Sequence, residues 1–122
     1  MPKSRILSFK YAFEGIWTAL KEEPNLKFHF LAMFVVIIAG IYFELLPGEW
    51  MAVIFAVGLV IALELTNTAI ETVVDSFTSD SHPGAKKAKD VASGAVLVIA
   101  FMAALIGLLV FLPHIIRLFT LM

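Results

Sequence analysis

Apolar residues in this chain fall into three long runs separated by short polar stretches. They occupy 26–46, 50–71 and 90–113. The first carries His29 and Glu44 near its ends, and the second carries Glu64. From Val91 to Pro113 the third has no charge at all. Each is close to the roughly 20 residues that cross a bilayer as a helix. Backbone groups in lipid must hydrogen-bond internally, so helices are the natural state of such runs.

Pro47-Gly48 lies between the first two runs and predicts a tight turn, hence an antiparallel hairpin. The second link, Ser76 to Lys89, is longer and polar. Ahead of the first run, residues 4–22 show helical periodicity. Ile6, Phe9, Phe13, Ile16, Trp17 and Leu20 recur at spacings of three and four, with Arg5, Lys10, Glu14 and Lys21 on much of the opposite surface. This pattern predicts an amphipathic helix lying at the membrane interface; the alternative is a soluble packing helix. The expected fold is therefore an all-α membrane protein, with three transmembrane helices preceded by an interfacial helix in one domain, 1–122.

Composition supports this. Of the 122 residues, 61% are hydrophobic and mean hydropathy is +0.95, against an apolar share of roughly 45–50% in soluble domains. A soluble fold of this size could not hide so much apolar surface. There is no cysteine, which excludes disulfides, thiolate metal sites and a thiol nucleophile. No signal peptide is apparent, because charges interleave the first 27 residues. Lys3, Arg5, Lys10 and Lys21 precede the first run with Lys27 at its very start, and Lys86, Lys87 and Lys89 lie in the second link. The hairpin turn has Glu44 and Glu49 but no Lys or Arg. The positive-inside rule puts the N-terminus and second link in the cytoplasm and the C-terminus outside. Nothing points to nucleic acid as a partner.

Candidate chemistry is concentrated at the cytoplasmic end of the second run. Glu64, Asn67, Glu71 and Asp75 return to one helix face. Three carboxylates there suggest a site for a cation and a reacting group. Glu64 and Glu71 are about 10 Å apart by helical rise, too far for one tight dyad. Glu71, nearer the link, suits magnesium, which takes one or two carboxylates together with phosphate oxygens. Glu64 lies deeper and suits proton abstraction. A purely structural role, hydrogen bonding between helices or subunits, is the competing reading. Glu22 or Glu23 offers a further carboxylate at the depth of Glu71. Of the basic cluster, Lys89 with Asp90 is best placed to meet a polyphosphate, whereas Lys86 and Lys87 suit membrane anchoring. No glycine-rich nucleotide loop is present. His29, His82 and His114 lack metal-ligand spacing.

Glu64-x-x-Asn67-Thr68-x-x-Glu71-x-x-x-Asp75 resembles the signature of the small bacterial integral-membrane diacylglycerol and undecaprenol kinases. Ala88-Lys89-Asp90-x-x-Ser93-Gly94-Ala95-Val96 is similar to the family's second block, and Glu23-x-Asn25-x-Lys27-x-His29 to the approach to its first span. The resemblance covers nearly the whole chain. It implies a homotrimer in the bacterial inner membrane with sites at subunit boundaries, transferring the ATP γ-phosphate to a lipid hydroxyl with Mg2+. It further implies Glu64 as general base with Asn67 beside it, and Glu23 and Glu71 holding metal and ATP. Tyr11, Asp75, Asp80, Ser81, His82, Lys89 and Asp90 match nucleotide positions, and Ser93 joins Glu64 at the lipid. Where the family has an N-terminal basic contact this chain has Ser4, with Arg5 adjacent. The Asn25 and His29 pattern looks more like the undecaprenol branch; in the diacylglycerol branch an acidic residue often takes the His29 position.

Two other classes compete. A small ion or proton transporter would use Glu64 and Glu71, but the uncharged third run offers no polar pathway. A non-catalytic membrane assembly protein leaves the Glu64 to Asp75 pattern without a purpose.

Overall fold

A computed structural model describes residues 4–79 and 81–122. Lys3 and Asp80 lie outside the described residues. The described chain forms four helices: α1 (Arg5–Glu22), α2 (Pro24–Tyr42), α3 (Pro47–Phe77) and α4 (Pro83–Thr120). The last three are long and apolar enough to cross a membrane. Most of their large apolar side chains, among them Phe34, Phe55, Phe101 and Leu109, face outward. In water that surface would be prohibitive; facing lipid, it carries no such penalty.

The punctuation between helices is local chemistry. Ser4 caps α1, its side chain accepting from the Leu7 N–H at 3.2 Å. Pro24 disfavours the helical region for the residue before it. Glu23 accordingly adopts extended backbone, closing α1 through its N–H to Ala19 and opening α2. The α2–α3 turn falls at 43–46, ahead of the expected Pro47-Gly48, with Glu44 at φ 53. Pro47 instead opens α3, where a missing N–H costs nothing. Glu49 Oε1 then accepts from the Leu46 N–H at 3.0 Å.

The polar link is also shorter than the hydropathy pattern implied. α3 continues to Phe77 and α4 begins at Pro83, so Lys86, Lys87 and Lys89 are helical. At the other end, α4 runs through Pro113 to Thr120. With 31 and 38 residues, α3 and α4 measure about 46 and 57 Å. Both exceed the roughly 30 Å hydrocarbon core, so the polar face of α3 can project beyond it.

α3 and α4 form the principal packing pair, α2 lies against α3, and α1 touches both α2 and α3. Leu45, Val53 and Val110 form a small core joined by Phe43, Trp50 and Phe111. On the same side, His114 Nε2 lies 3.0 Å from Glu49 Oε2, bridging α4 to α3. Here Gly40 admits the Trp50 ring. A Cβ at Gly40 would stand 2.5 Å from the Trp50 Cη2 atom. Gly40→Ala should therefore destabilise the protein by about 1–3 kcal/mol through overpacking. Thermal melting in detergent measures this, and Trp50→Ala in the same chain should recover part of the loss. An unchanged melting temperature for the single variant would refute the close packing.

Candidate active site

The site is built where α3 emerges past the α1–α2 corner. Glu64 is only 3% exposed, the one charged side chain buried among the described residues. Glu23, Glu71 and His29 all lie within its electrostatic reach. Glu23 arrives from the extended corner before Pro24, and Glu71 follows Glu64 two turns along α3. His29 comes from α2, about a turn and a half after that corner. Three elements thus converge: a helix corner, the first turns of α2 and the polar face of α3.

Asn67 organises this face. Its Nδ2 donates to Glu71 Oε1 at 3.3 Å. Its Oδ1 is buried and has no hydrogen-bond partner among the described residues. An orphaned buried acceptor carries a cost of roughly 1–3 kcal/mol unless something donates to it. The Thr66, Thr72 and Ser76 hydroxyls bond back to their own helix at Ala62, Thr68 and Thr72. They leave the carboxylates as the reactive groups of the α3 face.

Farther along α3, Asp75 Oδ1 pairs with Lys89 Nζ at 2.8 Å and ties α3 to α4. Lys86 and Asp90 form an i,i+4 pair at 2.6 Å. The Lys86–Asp90 pair is exposed and contributes little stability, and the Asp75–Lys89 pair is partly exposed. The consequence of the Asp75–Lys89 pair is positional: Lys89 is held against α3 one turn beyond Glu71. His82 caps α4, with Nδ1 accepting from the Gly84 and Ala85 N–H groups at 3.0 and 3.3 Å. Ser81 and Ser79 hydroxyls meet at 3.0 Å beside it.

The structure therefore brings Glu23, Glu64, Asn67 and Glu71 together, and joins Asp75 to Lys89. Tyr11 stands half exposed on α1, and Ser93 is exposed on α4. Asp80 lies outside the described residues. His29 is the neighbour that the sequence reading did not give a chemical role. Its signal was present: a polar residue at the cytoplasmic end of an apolar run shares a depth with Glu64.

No three His, Cys, Asp or Glu side chains among the described residues converge closely enough to hold a metal unaided. Glu23 and Glu71 remain a fit donor set for Mg2+. They are hard oxygen ligands, and Mg2+ commonly takes one or two carboxylates and completes its shell with phosphate and water oxygens.

Beside the cluster, an apolar groove of about 360 Å³ runs between α2, α3 and α4. Ala32 and Val36 line it from α2, Val53 and Val60 from α3, and Ala103 and Gly107 from α4. Among the described residues, His29 is its one polar lining side chain.

Residues 10–111 match the family model for prokaryotic diacylglycerol kinase. The chain belongs to that family. The chain is 48% identical to the undecaprenol kinase of Bacillus subtilis (strain 168) over 106 residues, 87% of this chain and 86% of that one. It is 37% identical to the diacylglycerol kinase of Synechocystis sp. over 114 residues, 93% of this chain and 65% of the other. Against the diacylglycerol kinase of Escherichia coli (strain K12) identity is 27% over 104 residues, 85% of each. Membership makes the chain a membrane-embedded lipid kinase and removes the transporter and assembly-protein readings. Kinase chemistry brings ATP as the phosphoryl donor.

Proposed function

We propose that this kinase transfers the ATP γ-phosphate to the hydroxyl of a membrane lipid alcohol at the cytoplasmic interface, with Mg2+, and that undecaprenol is preferred to diacylglycerol. The observation that carries the reading is the burial of Glu64 beside Glu23, Glu71 and Asn67 at one end of an apolar groove. An alcohol dissolved in lipid and a nucleotide dissolved in water can meet only at such a boundary.

Glu64 is the general base. Its carboxylate takes the hydroxyl proton as the lipid oxygen forms a bond to the γ-phosphorus. The bond from that phosphorus to the β,γ-bridging oxygen breaks, and ADP departs. Glu23 and Glu71 would hold Mg2+, which when bound neutralises phosphate charge. Asn67 steadies Glu71 through its Nδ2 and offers Oδ1 to a donor on an arriving substrate. Lys89 and Asp90, with Tyr11, Asp75, Asp80, Ser81 and His82, would form the nucleotide's surroundings, and Ser93 would face the lipid. For Lys89 this includes exchange of Asp75 for phosphate at a partly exposed pair.

Two observations favour undecaprenol. The relative at 48% identity is named undecaprenol kinase. Among the described residues, the groove lining beyond His29 has no polar side chain and suits a hydrocarbon tail without ester groups. By the basic-residue pattern, the site and N-terminus face the cytoplasm of a bacterial inner membrane and the C-terminus lies outside. α1, with Phe9, Phe13 and Trp17 exposed, lies in the interface. The working unit is a homotrimer, which would shield buried polar groups of α3 from lipid.

Radiolabelled ATP with Mg2+ and purified protein in mixed micelles provides the test. Labelled lipid should form, faster from undecaprenol than from diacylglycerol. Absence of label in both lipids would overturn the proposed reaction; a faster diacylglycerol rate would reverse the assignment of substrate.

A further inference from the structure

Among the described helices α4 packs against α3 alone, and its buried Ala85 and Ala92 mark the seam between them. The two flanks of that seam differ. Lys89 lies on one, paired with Asp75 of the polar α3 face. Along the other runs a second groove, of about 530 Å³, which shares no lining residue with the first. Ile70 lines it from α3, and Lys87, Ala88, Val91, Ala92 and Ala95 line it from α4. Two residues apart, Lys87 and Lys89 stand about 160° from each other around the helix. This groove therefore turns away from the residues assigned to the nucleotide.

Within the charged start of α4, Lys86 is paired with Asp90 and Lys89 with Asp75. Lys87 is exposed, and among the described residues no carboxylate or hydrogen bond engages its ammonium group. It is also the one charged side chain that lines the groove among the described residues. From Lys87 to Ala95 the groove floor descends about 12 Å by helical rise. It enters the uncharged run of the chain at Val91. A cation at headgroup level over an apolar floor can take a lipid phosphate with an acyl chain beneath it.

We propose that this groove binds an anionic phospholipid of the cytoplasmic leaflet, with its phosphate on Lys87 and one acyl chain along Val91 and Ala95. Charge complementarity selects the occupant. A neutral lipid gives Lys87 no counter-charge, and a zwitterionic lipid brings its own cation to the same level. A neighbouring apolar helix would fill the floor and leave the ammonium group unpaired. The site is separate from the acceptor groove. It does not depend on the kinase reading, because binding is measured without turnover.

Native mass measurement of the full chain in mild detergent reads bound lipid and oligomeric state together. Dioleoyl phosphatidylglycerol and dioleoyl phosphatidylcholine are titrated separately. The parent protein should bind phosphatidylglycerol at least about fivefold more tightly, the effect of one basic residue at a membrane surface. Lys87→Gln should remove that preference, and Lys87→Arg should keep it. Lys86→Gln should leave it within about twofold, since Asp90 already neutralises Lys86. Ala95→Leu fills the floor and should weaken phosphatidylglycerol binding although Lys87 is intact. Thermal melting establishes that each variant is folded, and Ala88→Leu replaces Ala95→Leu if the latter is not. Equal affinity of the parent for the two lipids overturns the proposal. So does a loss in Lys86→Gln as large as that in Lys87→Gln, which would mark diffuse attraction to a basic surface. If the leucine variant changes the oligomeric mass and leaves lipid affinity as it was, the groove is an interface between copies of this chain and the proposal falls.

Discussion

Replacing Glu64 with Gln should abolish most turnover and leave nucleotide binding intact. Glu64 is the most enclosed charged group of the described chain, at 3% exposure. Glutamine keeps its volume and planarity, so α3 packing survives. What it lacks is the capacity to accept a proton from an alcohol. Removal of a general base typically costs about 10²- to 10⁴-fold in rate. ATP is held, in this scheme, by Glu23, Glu71 and the residues around Lys89, and all of these side chains remain in the variant. Single-turnover transfer to undecaprenol and equilibrium binding of a non-hydrolysable ATP analogue separate the two quantities. A turnover within a few-fold of the parent would remove Glu64 from the role of base. Lost nucleotide binding would make it part of the ATP site instead.

The helices of this protein were legible because bilayer thickness constrains sequence so strongly. A run such as Val91 to Pro113 has few physical alternatives to a membrane helix. The ends were less legible, since hydropathy reports lipid exposure and not helicity. Lys86 to Asp90 is charged, yet it lies within α4, with Lys86 and Asp90 paired one turn apart. Pro47 marked the hairpin correctly but from the wrong side, opening α3 and not forming the turn.

The candidate site divides in the same way. Glu64, Asn67 and Glu71 share one helix, so their alignment followed from periodicity alone. Glu23 depended on the corner that Pro24 imposes. The Asp75–Lys89 and Glu49–His114 contacts join different helices. Only packing reveals those, because nothing in the spacing of residues fixes which helix faces meet. His29 belongs to this second class: its depth was readable, but its place at the head of a groove was not.

Mixing two inactive variants, Glu64→Gln and Glu23→Gln, should not restore activity. The sequence resemblance, with sites at subunit boundaries, left open whether base and metal ligand come from different chains. In the structure Glu23 and Glu71 both lie within electrostatic reach of Glu64 of the same chain. A hetero-oligomer of the two variants would then contain no intact set, whatever its stoichiometry. Silence alone is weak support, so a second mixture carries the sign. Parent enzyme is combined with the double variant Glu23→Gln/Glu64→Gln, exchange being verified with two affinity tags. If each chain carries its own base and metal ligand, activity falls in proportion to the parent fraction, leaving about half at an equal mixture. If the two groups belong to different chains, both must be parent, and about a quarter remains. The quarter, or any recovery from the first mixture, would show that this site is assembled across chains. The same tags test the trimer: a species carrying a single tag at every mixing ratio, with the native mass of one chain, would defeat it. Because Asn67 Oδ1 lacks a partner within the described chain, a trimer with self-contained carboxylate sets still leaves a position at which a neighbouring helix, or the lipid itself, can contribute a donor.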